Sequence, residues 1–163
     1  MLKQHFQMLA SYNTLANRKL YEVCSQLSDA QRKKIRPAPF KSIHGTLNHI
    51  MIGDRIWIGR FKGQKMSSTA LDAILYHDFE VLQKARVLED RNIEAFISNL
   101  SEDFFSHTIN YVNNQGKTYN DPAPLLMAHF FNHQTHHRGQ IHDMLTQTEI
   151  APPVLDMHRI LRP

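Results

Sequence analysis

Residues His129 to Gln140 read H-F-F-N-H-Q-T-H-H-R-G-Q, and four of the chain's 11 histidines fall inside this stretch. His129, His133 and His137 are spaced four apart, which on a helix stacks them along one side. A helix is predicted here. Asp121-Pro122-Ala123-Pro124 supplies a capping acid and then prolines in the first turn, where a missing N–H does no harm. Leu126, Phe130, Ile141, Met144 and Leu145 follow with helical spacing. At about 100° per residue, His137 falls near the centre of the apolar arc and His133 about 60° off it. His129 and His136 lie beyond its edge. His133 and His137 therefore point inward. One histidine on an apolar face is more often a hydrogen-bonded core residue than a ligand. Two at this spacing each need a buried polar partner, and imidazole is the commonest protein ligand for borderline metals. The spacing alone leaves both readings open.

Upstream, Ser42 caps a second helix that runs to about Phe61 and is apolar almost all round: Ile43, Leu47, Ile50, Met51, Ile52, Ile56, Trp57, Ile58, Phe61. Such a helix is buried on most sides. His49 lies within it, with Gly53 one turn on expected to leave space beside the His49 imidazole; taken alone, it reads as a core histidine. His44 lies near the helix start and is expected closer to solvent.

The first helix is predicted from about Leu2 to Leu27, with Phe6, Leu9, Tyr12, Leu15, Ala16, Leu20 and Val23 in helical period. Ser28-Asp29 caps a short turn ended by Pro37-Ala38-Pro39. A polar connection covers Lys62 to Thr69. A third helix is expected over about Ala70–Leu100, bent near Glu89-Asp90. Its inner face would be Leu71, Ile74, Leu75, Leu82, Ala85, Leu88, Ile93, Phe96 and Ile97, with His77 exposed or structural. Phe105, His107, Ile109 and Tyr111 then alternate with polar residues. Asn113-Asn114-Gln115-Gly116 looks like a turn before Lys117-Thr118-Tyr119, so a small β-hairpin is predicted. After Gln147 come Pro152-Pro153 and a short segment, Val154–Arg162. The chain reads as all-α: an antiparallel four-helix bundle in one domain, 1–163, with a hairpin insertion before the last long helix.

A chain of 163 residues can bury a real core. No apolar run reaches membrane-span length and the N-terminus lacks a signal-peptide pattern. The lone Cys24 suits a reducing compartment. A cytoplasmic protein that neither enters a membrane nor binds nucleic acid is expected. The net charge of +4 is scattered, its one tight group being Arg32-Lys33-Lys34-Ile35-Arg36, a solvated helix end rather than a nucleic-acid surface.

The stretch S-I-H-G-T-L-N-H-I-M-I-G-D-R-I-W (Ser42–Trp57), followed by the histidine-rich stretch some eighty residues later, resembles the DinB-like (YfiT-type) family of four-helix-bundle metalloproteins. The likeness covers nearly the whole chain. It implies one divalent metal ion, usually nickel or zinc, held by three histidines: His49 in L-N-H-I, His133 in N-H-Q-T-H and His137 in H-R-G-Q. The last two are the inward pair of the helical wheel. Three neutral imidazoles leave the ion its charge and at least one open position. Second ring nitrogens would be held by neighbours such as Asn48, Asn132, Gln140 or Asp54.

By that resemblance the chain is expected to be a metal-dependent enzyme, a thiol-dependent S-transferase or hydrolase. Its substrate would be a small molecule, its partner a low-molecular-weight thiol, and its assembly a homodimer. The alternative is a non-catalytic metal-binding or stress-response protein in which the ion staples two helices. No Ser/His/Asp or Cys/His nucleophile arrangement is visible.

Overall fold

The computed structural model describes residues 1–64 and 69–163. Four long helices carry it: α1 (Leu2–Ser25), α3 (Ile43–Phe61), α4 (Phe79–Asn99) and α5 (Ala123–Thr146). Short helices α2 (Asp29–Lys33) and α6 (Met157–Leu161) and the strands β1 (Thr108–Val112) and β2 (Thr118–Pro122) complete it. α1 packs against α4 and α5, and α3 against α5 and α4. Side-chain contacts give the directions. Asn17 reaches Asp90 while Thr14 reaches Glu94, so α1 and α4 are antiparallel. His49 meets His137 while Trp57 meets His129, so α3 and α5 are antiparallel too. Arg86 reaches Asp54 and Phe96 reaches Phe61, so α4 runs the same way as α3. Residues 69–78 accordingly lie back toward the start of α3, where the Leu71 carbonyl meets His49 and the Tyr76 amide meets Asn48.

That return explains the main departure from the sequence reading. The third long helix starts at Phe79, not near Ala70, and Asp78 caps it by accepting from the Val81 amide. Leu71 and Ile74, expected inside, are exposed at 42% and 36%. Their helical spacing is coincidental; the segment presents backbone carbonyls inward instead. Leu88 is exposed as well, whereas Leu82, Ile93 and Ile97 are buried as expected. α4 runs unbroken through Glu89 and Asp90. Of the polar connection Lys62–Thr69, residues 65–68 lie outside the described residues.

Ser42 caps α3 by accepting from Gly45 N, and Ser28 and Gln31 form a reciprocal capping box on α2. Asp121 does not cap α5. It pairs with Ile109 in the hairpin and accepts from Tyr111 Oη, leaving Pro122 at the helix boundary. The hairpin turns at Asn113, whose side chain accepts from the Gln115 and Lys117 amides, with Gly116 at φ 78°.

The interior is divided by height. One apolar cluster gathers Leu20, Leu47, Met51, Leu82 and Met144. The other gathers Phe6, Phe61, Ile97, Phe130 and Phe131. Between them lies a buried polar layer to which all four long helices contribute: Asn13 and Asn17, Asp54, Arg86 and Asp90, Gln134 and Arg138. Cys24 is fully buried in the first cluster, and burial pushes its thiol up to about 12. Among the described residues, no helix is long and apolar enough to cross a membrane.

Candidate metal centre

His49, His133 and His137 converge beside the polar layer. Their Nε2 atoms form a triangle: 3.2 Å from His49 to His133, 3.1 Å from His49 to His137 and 3.1 Å from His137 to His133. His49 and His137 are buried and His133 is half-buried. The helices dictate this meeting. His133 and His137 project from successive turns of α5, and α3 lays His49 across them.

The protons in this cluster can be assigned. His49 Nδ1 lies 2.8 Å from the Leu71 carbonyl oxygen. A carbonyl only accepts, so Nδ1 carries the proton and Nε2 is a bare lone pair. His137 Nδ1 lies 2.8 Å from Gln140 Oε1, and the same logic bares its Nε2. Two lone pairs thus face each other at 3.1 Å with no proton between them. His133 Nε2 can donate to only one of the two. Added protons do not relieve the clash: burial, then the charges of His137 and His49, lower His133 to about 3. Burial also lowers His137 to about 4, against the hydrogen bond it donates to Gln140. A cation relieves it. The centre of this triangle is nearer each corner than the about 2.0–2.1 Å of a zinc–imidazole bond, so the three nitrogens could share one ion. The donor set therefore fits a divalent metal.

The surroundings hold the rings. Phe40 stacks on His49 with ring centroids 3.6 Å apart and stands edge-on to His137 at 5.5 Å. Gly45 lets the Phe40 segment lie this close, since a Cβ there would collide with the Phe40 carbonyl. The space at Gly53, expected beside His49, is filled by His133 instead: a Cβ on Gly53 would sit 2.7 Å from His133 Cε1. One residue further along both helices, Gln134 Nε2 donates to Asp54 Oδ1 at 2.7 Å. Asp54 also pairs with Arg86 at 2.5 Å, and Arg86 with Asp90 at 2.8 Å. Asp90 accepts from Asn13 and Asn17, which in turn accept from Arg138. This network fixes the register of α3 on α5 at the level of the triad.

Of the four suggested outer partners, only Gln140 holds a ligand nitrogen. Asn48 instead ties the Tyr76 backbone to α3, Asp54 serves the polar layer, and Asn132 is exposed. His44 is buried rather than near solvent, its Nε2 bonded to the Tyr76 carbonyl. His129 is exposed and packs edge-on to Trp57; exposed His136 meets Gln140 Nε2. The sequence reading missed the Leu71 carbonyl, Phe40 and the polar layer. Asn13 and Asn17, one turn apart on a core-facing side of α1, were the available signal for the last.

A helical bundle with three imidazoles converging from two antiparallel helices is the class of protein this geometry defines. The DinB family model matches residues 1–163, and the chain belongs to the DinB family. It is 26% identical over 157 residues to "Protein DinB" of Bacillus subtilis (strain 168), covering 91% of this chain and 88% of that one. Its fold is that of a DinB-like protein from Bacillus cereus ATCC 10987 of known crystal structure, with a TM-score of 0.72. That likeness spans 93% of this chain and 95% of the other at 19% identity.

Proposed function

We propose that this protein binds one divalent metal ion, nickel or zinc, through His49, His133 and His137, and that it is a metal-dependent enzyme of the thiol S-transferase or hydrolase type. The observation that carries the metal reading is the pair of bare Nε2 lone pairs facing each other at 3.1 Å. An ion held by three uncharged ligands would supply Lewis acidity, drawing a thiol or water toward its ionised form near neutral pH.

The chain's own residues prepare that site. Leu71 and Gln140 fix the tautomers of His49 and His137, and Phe40 shields the back of His49 from water. The Asp54 and Asp90 carboxylates are engaged by Arg86, so neither serves as a general base. The staple reading has less support, because Gln134 and Asp54 already clamp α5 to α3 beside the triad. Three ligands also leave a position open, which a purely structural site would close. Zinc- or nickel-loaded protein should turn over some member of a panel of small thiols paired with electrophiles, and the His133→Ala variant should not. Equal turnover by the two would refute the enzyme reading.

A further inference from the structure

Arg60, in the last turn of α3, is only 8% exposed, yet no carboxylate pairs with it among the described residues. The other buried arginines are compensated. Arg86 has Asp54 and Asp90, Arg138 has the Asn13 and Asn17 oxygens, and Arg36 has the Gln31 and Lys34 carbonyls. Among the described residues Arg60 makes one long bond, Nη2 to the Val112 carbonyl at 3.3 Å, and its Nε, like that of Arg86, has no partner. The guanidinium lies over the Trp57 ring at 4.5 Å and over Tyr111 at 4.9 Å. Those rings flank it and supply no counter-charge. A buried cation with one long hydrogen bond and an unpartnered Nε lacks the planar anion that a guanidinium fork takes.

Its position relates it to the imidazole triad. His49, Gly53, Trp57 and Arg60 share one side of α3 by spacing. Opposite them on α5, His133 fills the space at Gly53 and His129 packs on Trp57 at 5.1 Å. Trp57 lies about 12 Å along the helix axis from His49, roughly the length of three or four extended peptide units. We infer that Arg60 anchors a carboxylate of the substrate, remote from the reacting atom, so that the site selects acidic small molecules about as long as three to four extended peptide units. The placement of the reacting end rests on the proposed metal reading; the anchor itself does not.

Trp57 is the chain's single tryptophan, so its fluorescence reports directly on Arg60. The full chain, metal-free, is titrated at constant ionic strength with glutarate, glutaramide and inorganic phosphate. Glutarate should give a saturable change in Trp57 emission, glutaramide none, and phosphate a weaker one. Arg60→Gln should weaken glutarate binding about ten- to a hundredfold, and Arg60→Lys should fall between. Absence of a saturable glutarate response in the unmodified protein overturns the inference, as does an equal response to glutaramide. So does a stronger response to phosphate, or an unchanged one in Arg60→Gln. The same titration on His133→Ala separates the two readings: a retained glutarate response alongside lost metal uptake shows that anchor and metal site stand or fall independently.

Discussion

Gly53 is the residue where the smallest change tests the most. A methyl group there would sit 2.7 Å from His133 Cε1, so Gly53→Ala must displace that ring. The helix itself would gain, since alanine replaces glycine in a helix interior with about 1 kcal/mol of benefit. Metal affinity, measured by competition with a chelating dye, should fall at least about tenfold while the melting temperature of the metal-free protein changes little. Unchanged affinity would mean that the His133 ring position is immaterial. Gln140→Ala removes the acceptor that orients His137 and should weaken metal binding by about 10–100-fold. Cys24 gives a negative control for reactivity. Buried among Leu20, Met51 and Met144, with its thiol pushed up to about 12, it should stay unreacted with a thiol reagent until the protein is unfolded. Rapid labelling of the native chain would contradict its placement.

Among the elements, the polar layer decides how α3 and α5 meet. Removing one partner of a buried ion pair strands the other charge, which costs about 3–5 kcal/mol. Asp54→Ala leaves Arg86 with Asp90 alone and takes the acceptor from Gln134, so it should lower unfolding stability in urea denaturation by less than that, about 1–3 kcal/mol, and no measurable loss would contradict the role of the layer. This element scale is also where the sequence was read best and worst. α5 and α3 were legible because a continuous apolar period and a capping Ser42 mark them, and the hairpin because alternation gives way to an Asn-rich turn. Residues 70–78 were misread because Leu71, Ile74 and Leu75 happen to fall at helical spacing. Only Asp78, a capping acid, signalled the true start of α4. The inward orientation of His133 and His137 followed from the helical wheel. The meeting with His49 did not, since it depends on how two helices eighty residues apart are aligned. The family resemblance supplied it. The Leu71 carbonyl was invisible for a different reason: backbone acceptors leave no trace in side-chain pattern.

For the molecule as a whole, the triad ties stability to pH. The unfolded imidazole titrates near about 6.5, while His133 and His137 in the folded chain are lowered to about 3 and about 4. The unfolded state therefore binds more protons between these values, and their contribution to stability is intact above about 6.5 and lost as pH falls toward 4 and then 3. The metal-free protein should melt at progressively lower temperature as pH drops from 7 to 4, and His133→Ala should flatten that slope; a slope unaffected by the variant would refute the assignment. A bound ion would add stability by mass action above that window, because it competes with protons for the same nitrogens. The most direct test of the triad is elemental analysis after loading with zinc or nickel and removal of excess ion by gel filtration. The unmodified chain should retain one equivalent, and the single variants His49→Ala, His133→Ala and His137→Ala should each retain far less. A chain that holds none, or a His49→Ala variant that keeps its full equivalent, would contradict a shared three-imidazole site.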